Sequence, residues 1–181
     1  MCPSANQLSH WIQLYNLEDY LFGTVTRRFQ EEGHLHTHDF FAIIIWKSNR
    51  AKTRIRAGLQ QIGKTAAQVT REMHLAATGK DKLQVLLAVP GFGIPMASAI
   101  LTVCYPDEFT VPDWRAWERL CAWNVDGLPG RCPADATGYL QYCDTCRRLA
   151  REFGLSLRDL DRALWGSSWE KGLLELVSGL E

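Results

Sequence analysis

Apolar residues recur at helical spacing along nearly the whole chain, and no segment shows the convincing alternation of a half-buried strand. Residues around 5–31 predict one or two helices, with Trp11, Leu14, Leu17, Tyr20, Leu21 and Phe29 turned to a core. The run Asp39–Trp46 carries Phe40, Phe41, Ile43, Ile44 and Ile45, a β-branched content that would suit a buried strand. A lone strand has no partner here, so a central buried helix starting at Asp39 is the expected form. Further helices are predicted at about 50–61, 64–77 and 80–89, with Gly79 as a stop between the last two. Pro95 to Cys104 should form another, ending at Tyr105-Pro106-Asp107. Asp113 opens a helix over Trp114–Trp123, a Gly- and Pro-containing loop covers Asp126–Ala134, and Thr137–Phe153 is closed by Gly154. Ser156–Leu164 and Trp169–Val177 complete the series. Without repeats, low-complexity tracts or long linkers, a single all-α unit is the economical description.

Composition changes this picture little: 46% hydrophobic and 22% charged residues are those of a globular chain long enough to bury a core. No apolar run approaches the roughly 20 residues that span a bilayer, and no basic segment leads into an apolar stretch at the N-terminus. Cytoplasm, in association with the nucleoid, is the expected compartment, or the nucleus if the source has one. Charge is more informative. Twenty basic residues balance twenty acidic ones, yet residues 47–82 hold nine basic and two acidic side chains, a local +7. A concentrated cationic stretch on a neutral protein suits phosphate contact or a solvated helix face.

The segment Val89-Pro90-Gly91-Phe92-Gly93-Ile94-Pro95-Met96-Ala97 reads as a glycine-kinked hairpin between two helices. Gly91 and Gly93 permit a sharp turn, and Pro95 suits the first turn of a helix, where its missing donor costs nothing. The helix N-terminus that follows is a natural anion site, with phosphate the obvious anion. Val111-Pro112-Asp113 then places a carboxylate 18 residues beyond Pro95. Pattern and spacing resemble those of the helix-hairpin-helix (HhH-GPD) DNA glycosylase superfamily, whose members share L-P-G-V-G-x-K-x-A and an aspartate near the start of the next helix. The resemblance covers roughly residues 39–165 in helix order.

The resemblance implies two helical lobes with a cleft between them, one of about residues 1–38 plus 135–181 and the other of about 39–134. It implies cleavage of the N-glycosidic bond of a damaged or modified base in double-stranded DNA by a monomer, with Asp113 as the catalytic carboxylate. Asp107 and Glu108 are rivals that a tight Pro-Asp turn explains more simply. Pro95 stands where bifunctional members carry a lysine, so a monofunctional enzyme leaving an abasic site is implied, unless Lys47 supplies an amine instead. Gly91, Phe92, Gly93, Ile94, Pro95 and Met96 would hold the backbone, joined by Arg50, Lys52 and Arg54. Ser48 and Asn49 would enter the vacated base stack or cap a helix. Trp46, Trp114 and Trp165 would wall the base pocket, or else serve as core. No resident cofactor is implied, beyond a monovalent cation held by hairpin carbonyls.

Two other readings stay open. A helix-hairpin-helix protein that binds DNA without chemistry accommodates Pro95 equally well. A metal-dependent hydrolase would draw on His34, His36 and His38 of His34-Leu35-His36-Thr37-His38-Asp39, for which the sequence offers no distant fourth ligand. Cys2, Cys104, Cys121, Cys132, Cys143 and Cys146 lack the close, regular spacing of the iron-sulfur loop found in some glycosylases, and reduced thiols are expected.

Overall fold

Among the described residues, five helices start where an N-cap side chain, that of Thr65, Thr78, Asp113, Asp135 or Ser156, closes a free backbone donor. The computed structural model describes residues 16–178, so Cys2, Trp11 and Leu14 lie outside the described residues. In chain order α1 is Leu17–Asp19, followed by a π-helical segment Tyr20–Val25, α2 Thr26–Glu32 and α3 Thr37–Ser48. A 3-10 turn, Asn49–Ala51, leads into α4 Lys52–Gln61, then α5 Ala66–Leu75 and α6 Gly79–Leu87. The remaining helices are α7 Ile94–Cys104, α8 Trp114–Ala122, α9 Ala136–Glu152 and α10 Leu157–Val177. There is no strand among the described residues, and none of the described helices is long and apolar enough to cross a membrane.

Two expectations need correction. Gly79 does not stop a helix; it opens α6, because Thr78 accepts the Asp81 N–H as N-cap. The preceding helix ends instead at Ala76, whose backbone is extended. Ser156–Leu164 and Trp169–Val177 are not separate helices either, since α10 runs unbroken through Gly166-Ser167-Ser168. A mid-helix glycine costs about 1 kcal/mol of propensity, which packing of α10 along α8 offsets.

The chain divides into two compact units. One holds the described residues up to Phe92 together with Val103–Tyr105; the other holds Gly93–Thr102 and the described residues from Pro106 onward. In the first unit α3 packs against the π segment, α4 and α5. Phe40, Ile43 and Ile44 are fully buried at helical spacing, while Ile45 is 43% exposed. Burying each such side chain contributes roughly 2 kcal/mol. The run that could pass for a strand is therefore a buried helix, starting at Thr37 rather than Asp39.

Asp39 is buried and receives the Tyr20 hydroxyl and the Arg28 guanidinium, each at 2.5 Å. Burial, then the Asp39 carboxylate, push the Tyr20 phenol above its usual range, and the same carboxylate holds the Arg28 proton more tightly. These bonds tie the helices before residue 38 to α3, so the boundary expected near residue 38 lies inside one unit. Asp39→Ala should lower stability by about 2 kcal/mol, because it removes the buried carboxylate that accepts from both the half-buried Tyr20 hydroxyl and the partly exposed Arg28. Tyr20→Phe should cost about half as much; urea unfolding of both variants measures the difference.

In the second unit Ala116 and Leu120 of α8 meet Tyr142, Cys146 and Leu149 of α9 and Leu157, Leu160 and Leu164 of α10. Asp135 and Ser156 cap α9 and α10 by accepting the N–H groups of Gly138 and Asp159. Gly154, at φ +64°, ends α9 as the sequence suggests.

Candidate functional site

Helix α6 ends in a turn where the Val89 N–H reaches Leu86 O and the Phe92 N–H reaches Val89 O, each at 3.1 Å. Gly91 sits at φ +92°, a backbone conformation that side chains disfavour. The Gly93 carbonyl accepts the N–H groups of Met96 and Ala97, both at 3.0 Å, so Gly93 is the N-terminal boundary of α7. Pro95, within the first turn, is exposed. Ile94 and Met96 are 4% and 5% exposed, so their side chains belong to the core and only their backbone can serve a ligand. Phe92 is half-buried, 6.0 Å from the Phe40 ring.

Helix α4 lies directly against this turn. A Cβ added to Gly58 would fall 1.9 Å from the Pro90 carbonyl oxygen, and one added to Gly91 would fall 2.7 Å from Cγ of Arg54. The Arg54 stem therefore rests beside the glycine turn, and Arg54 itself is exposed. Arg50, Lys52 and Arg56 are exposed as well, and the Lys52 ammonium donates to Asn49 Oδ1 at 2.7 Å. Ser48 and Lys47, at the end of α3, are half-buried. Tertiary packing thus sets Arg54, one member of the cationic stretch, beside the glycine turn.

Asp113 is the N-cap of α8, with extended backbone and an Oδ1 that accepts the Arg115 N–H at 2.9 Å. Phe109, Thr110, Val111 and Pro112 before it are buried, which fixes where the half-buried carboxylate emerges. Trp114 follows at 56% exposure with the Arg115 guanidinium 5.3 Å from its ring. An open groove of about 620 Å³ between α8 and α10 is lined by Trp114, Arg115, Trp117, Arg119, Trp169 and Leu173 among others. Trp169 and Trp117 line it where the sequence pointed to Trp165, which is exposed one turn earlier on α10. Trp46, in the other unit, is half-buried and meets Phe22 edge-on at 5.7 Å. Asp107 and Glu108 are exposed in the turn after α7.

The histidine run separates into two groups. His34 and His36 approach Glu32, whereas His38 faces Tyr20 and Asp39. Glu32 was missed by the sequence reading, although a carboxylate two and four residues before the histidines was visible. Cys104, Cys143 and Cys146 are buried, and Cys121 and Cys132 are partly buried. Burial pushes the Cys143 thiol up to about 11 and the Cys104 and Cys146 thiols upward too, so nucleophilic thiolate is scarce at neutral pH. Brief iodoacetamide treatment of the native protein should leave these three unmodified, with modification at Cys104, Cys143 or Cys146 under native conditions contradicting the assignment; peptide mass mapping reads the result.

No family model matches the chain, and neither a curated protein nor a solved structure matches it.

Proposed function

We propose that the chain is a helix-hairpin-helix DNA glycosylase that hydrolyses the bond between a modified base and deoxyribose. The observation that carries this reading is the packing of Arg54 against Gly91, which joins an exposed cationic helix to a glycine turn leading into a helix N-terminus. Backbone N–H groups and the helix dipole favour a phosphate there, and Arg50, Lys52 and Arg54 add charge within reach of neighbouring phosphates. The expected monovalent cation would use the hairpin carbonyls.

In the proposed reaction the C1′–N bond breaks with its electron pair going to the departing base, and positive charge grows on the sugar. The Asp113 carboxylate stabilises that charge and takes a proton from the water whose oxygen bonds to C1′. The product is an abasic site, because Pro95 has no amine with which to form a Schiff base. Trp114, and the groove beside it, offers an aromatic wall for an extruded base.

A non-catalytic DNA-binding protein is the second reading. It is favoured by Pro95 and by the fact that Asp113 already has a structural task as a helix cap. A panel of duplexes with oxidised, deaminated, alkylated and otherwise modified bases, read by alkaline cleavage, separates the two; no cleavage of any duplex despite binding would leave only the second. Borohydride trapping tests Lys47, since covalently trapped protein would replace hydrolysis by a lyase step. Both readings predict salt-sensitive binding. Arg54→Ala should lower the slope of log affinity against log salt by about one unit, whereas Arg131→Ala on the other unit should leave it unchanged.

A further inference from the structure

We infer that Glu32, His34 and His36 form a binding site for a divalent transition-metal cation of the zinc type, separate from the proposed DNA chemistry. Their ligand atoms lie within 4.8 Å of one another. Glu32 Oε2 is 2.6 Å from His36 Nε2 and 3.7 Å from His34 Nε2. Ligand atoms held about 2.0–2.1 Å from a tetrahedral zinc are roughly 3.3 Å apart, so small side-chain rotations complete the set. Two imidazoles and a carboxylate select zinc, nickel or copper over magnesium or calcium. The fourth position stays open to water.

The backbone beneath these ligands is fixed. Glu32 ends α2, and Gly33 turns the chain at φ +69° with its N–H bonded to Phe29 O at 2.8 Å. Leu35 is buried, and its N–H donates to Thr70 Oγ1 at 2.9 Å. Thr70 is fully buried and in turn donates to Ala66 O at 2.8 Å. His36 then caps α3 in extended conformation. With Leu35 pinned inward, its two neighbours share the opposite side, as alternate residues of an extended segment do. Their rings stack at 5.5 Å, 24° from parallel.

The outer partner of one ligand is also in place. His34 Nδ1 lies 3.1 Å from the Glu32 carbonyl oxygen, the kind of acceptor that holds a metal-bound imidazole with its proton on the far nitrogen. Arg71 Nη2 lies 3.0 Å from the same Nδ1. A guanidinium only donates, so this contact requires Nδ1 as an acceptor and competes with the metal-binding tautomer. Its charge also repels the cation. Arg71 therefore opposes metal, and its removal tightens binding. His38 is not a ligand: its Nδ1 lies 3.5 Å from both Asp39 Oδ1 and the Tyr20 hydroxyl.

Zinc titration of the full chain by calorimetry, with thermal melts in parallel, tests the site. The expected result is one zinc per chain and a melting temperature raised by zinc. His36→Ala and Glu32→Gln, both at exposed side chains, should each weaken binding by at least about tenfold, since even outer-shell losses cost that much. His38→Ala should be neutral, and Arg71→Ala should bind more tightly. Imidazole nitrogen resonances of His34 and His36 should shift on saturation. Failure to bind zinc, or binding that is equal in the parent and in His34→Ala/His36→Ala, including binding supplied by the cysteines, overturns the assignment. Base excision should persist in chelator, so loss of the metal site and loss of the glycosylase reading are distinguishable.

Discussion

Asp113→Asn should slow base excision by about 10²–10³-fold while DNA binding and thermal stability stay near those of the parent. Asparagine keeps an oxygen that can accept the Arg115 N–H, and it is as good an N-cap as aspartate. What it removes is the negative charge beside a sugar becoming cationic, an electrostatic contribution of roughly 3–4 kcal/mol by analogy with other preorganised sites. Asp113→Ala removes both functions and should cost a further ~1 kcal/mol of stability through the lost cap. Asp107→Asn and Glu108→Gln, in the exposed turn after α7, should cleave at the parent rate. Single-turnover alkaline cleavage on whichever modified duplex the parent cuts, with anisotropy for binding, provides the comparison. A fully active Asp113→Asn protein would remove this residue from the chemistry.

Gly58→Ala should destabilise the protein by about 3 kcal/mol, a fall in melting temperature of roughly 10 °C. The added Cβ would meet the Pro90 carbonyl oxygen at 1.9 Å, and the obstacle is backbone rather than the flexible end of a side chain. Either α4 retreats or the turn moves, and in both cases Arg54 leaves Gly91. DNA binding should therefore weaken together with stability. Gly166→Ala is the contrasting substitution: nothing lies within 4 Å of its added Cβ, and it sits inside α10, so it should stabilise by up to about 1 kcal/mol. Thermal melts of the two variants should move in opposite directions. A Gly58→Ala protein as stable as the parent would contradict the close approach of α4 to the turn.

Local signals were sufficient wherever a few neighbouring residues decide the outcome. The glycine turn before α7, Asp113 as a cap and the end of α9 at Gly154 all follow from adjacent side chains and backbone freedom. The run around Phe40, Ile43 and Ile44 is expected to be a buried helix because a lone strand would have no partner, and α3 is that helix, begun at Thr37 rather than Asp39. Gly79 misled because glycine is tolerated on either side of a helix end, and Thr78 decided which side applied. The break expected near Gly166 failed for another reason: α10 lies along α8, and distant packing outweighs a local propensity of about 1 kcal/mol.

Helical class, most of the helix order, the glycine turn before α7 and the uneven charge were determined by the sequence itself, because each depends on residues within a few positions of one another. Only the tertiary structure decided that α4 rests on the glycine turn, that Ile94 and Met96 face the core, and that Trp169 lines the groove beside Trp114. It also decided that Glu32, not His38, joins His34 and His36. These outcomes turn on which helix faces meet across long loops and on a single buried anchor such as Leu35, and sequence spacing does not encode contacts of that kind.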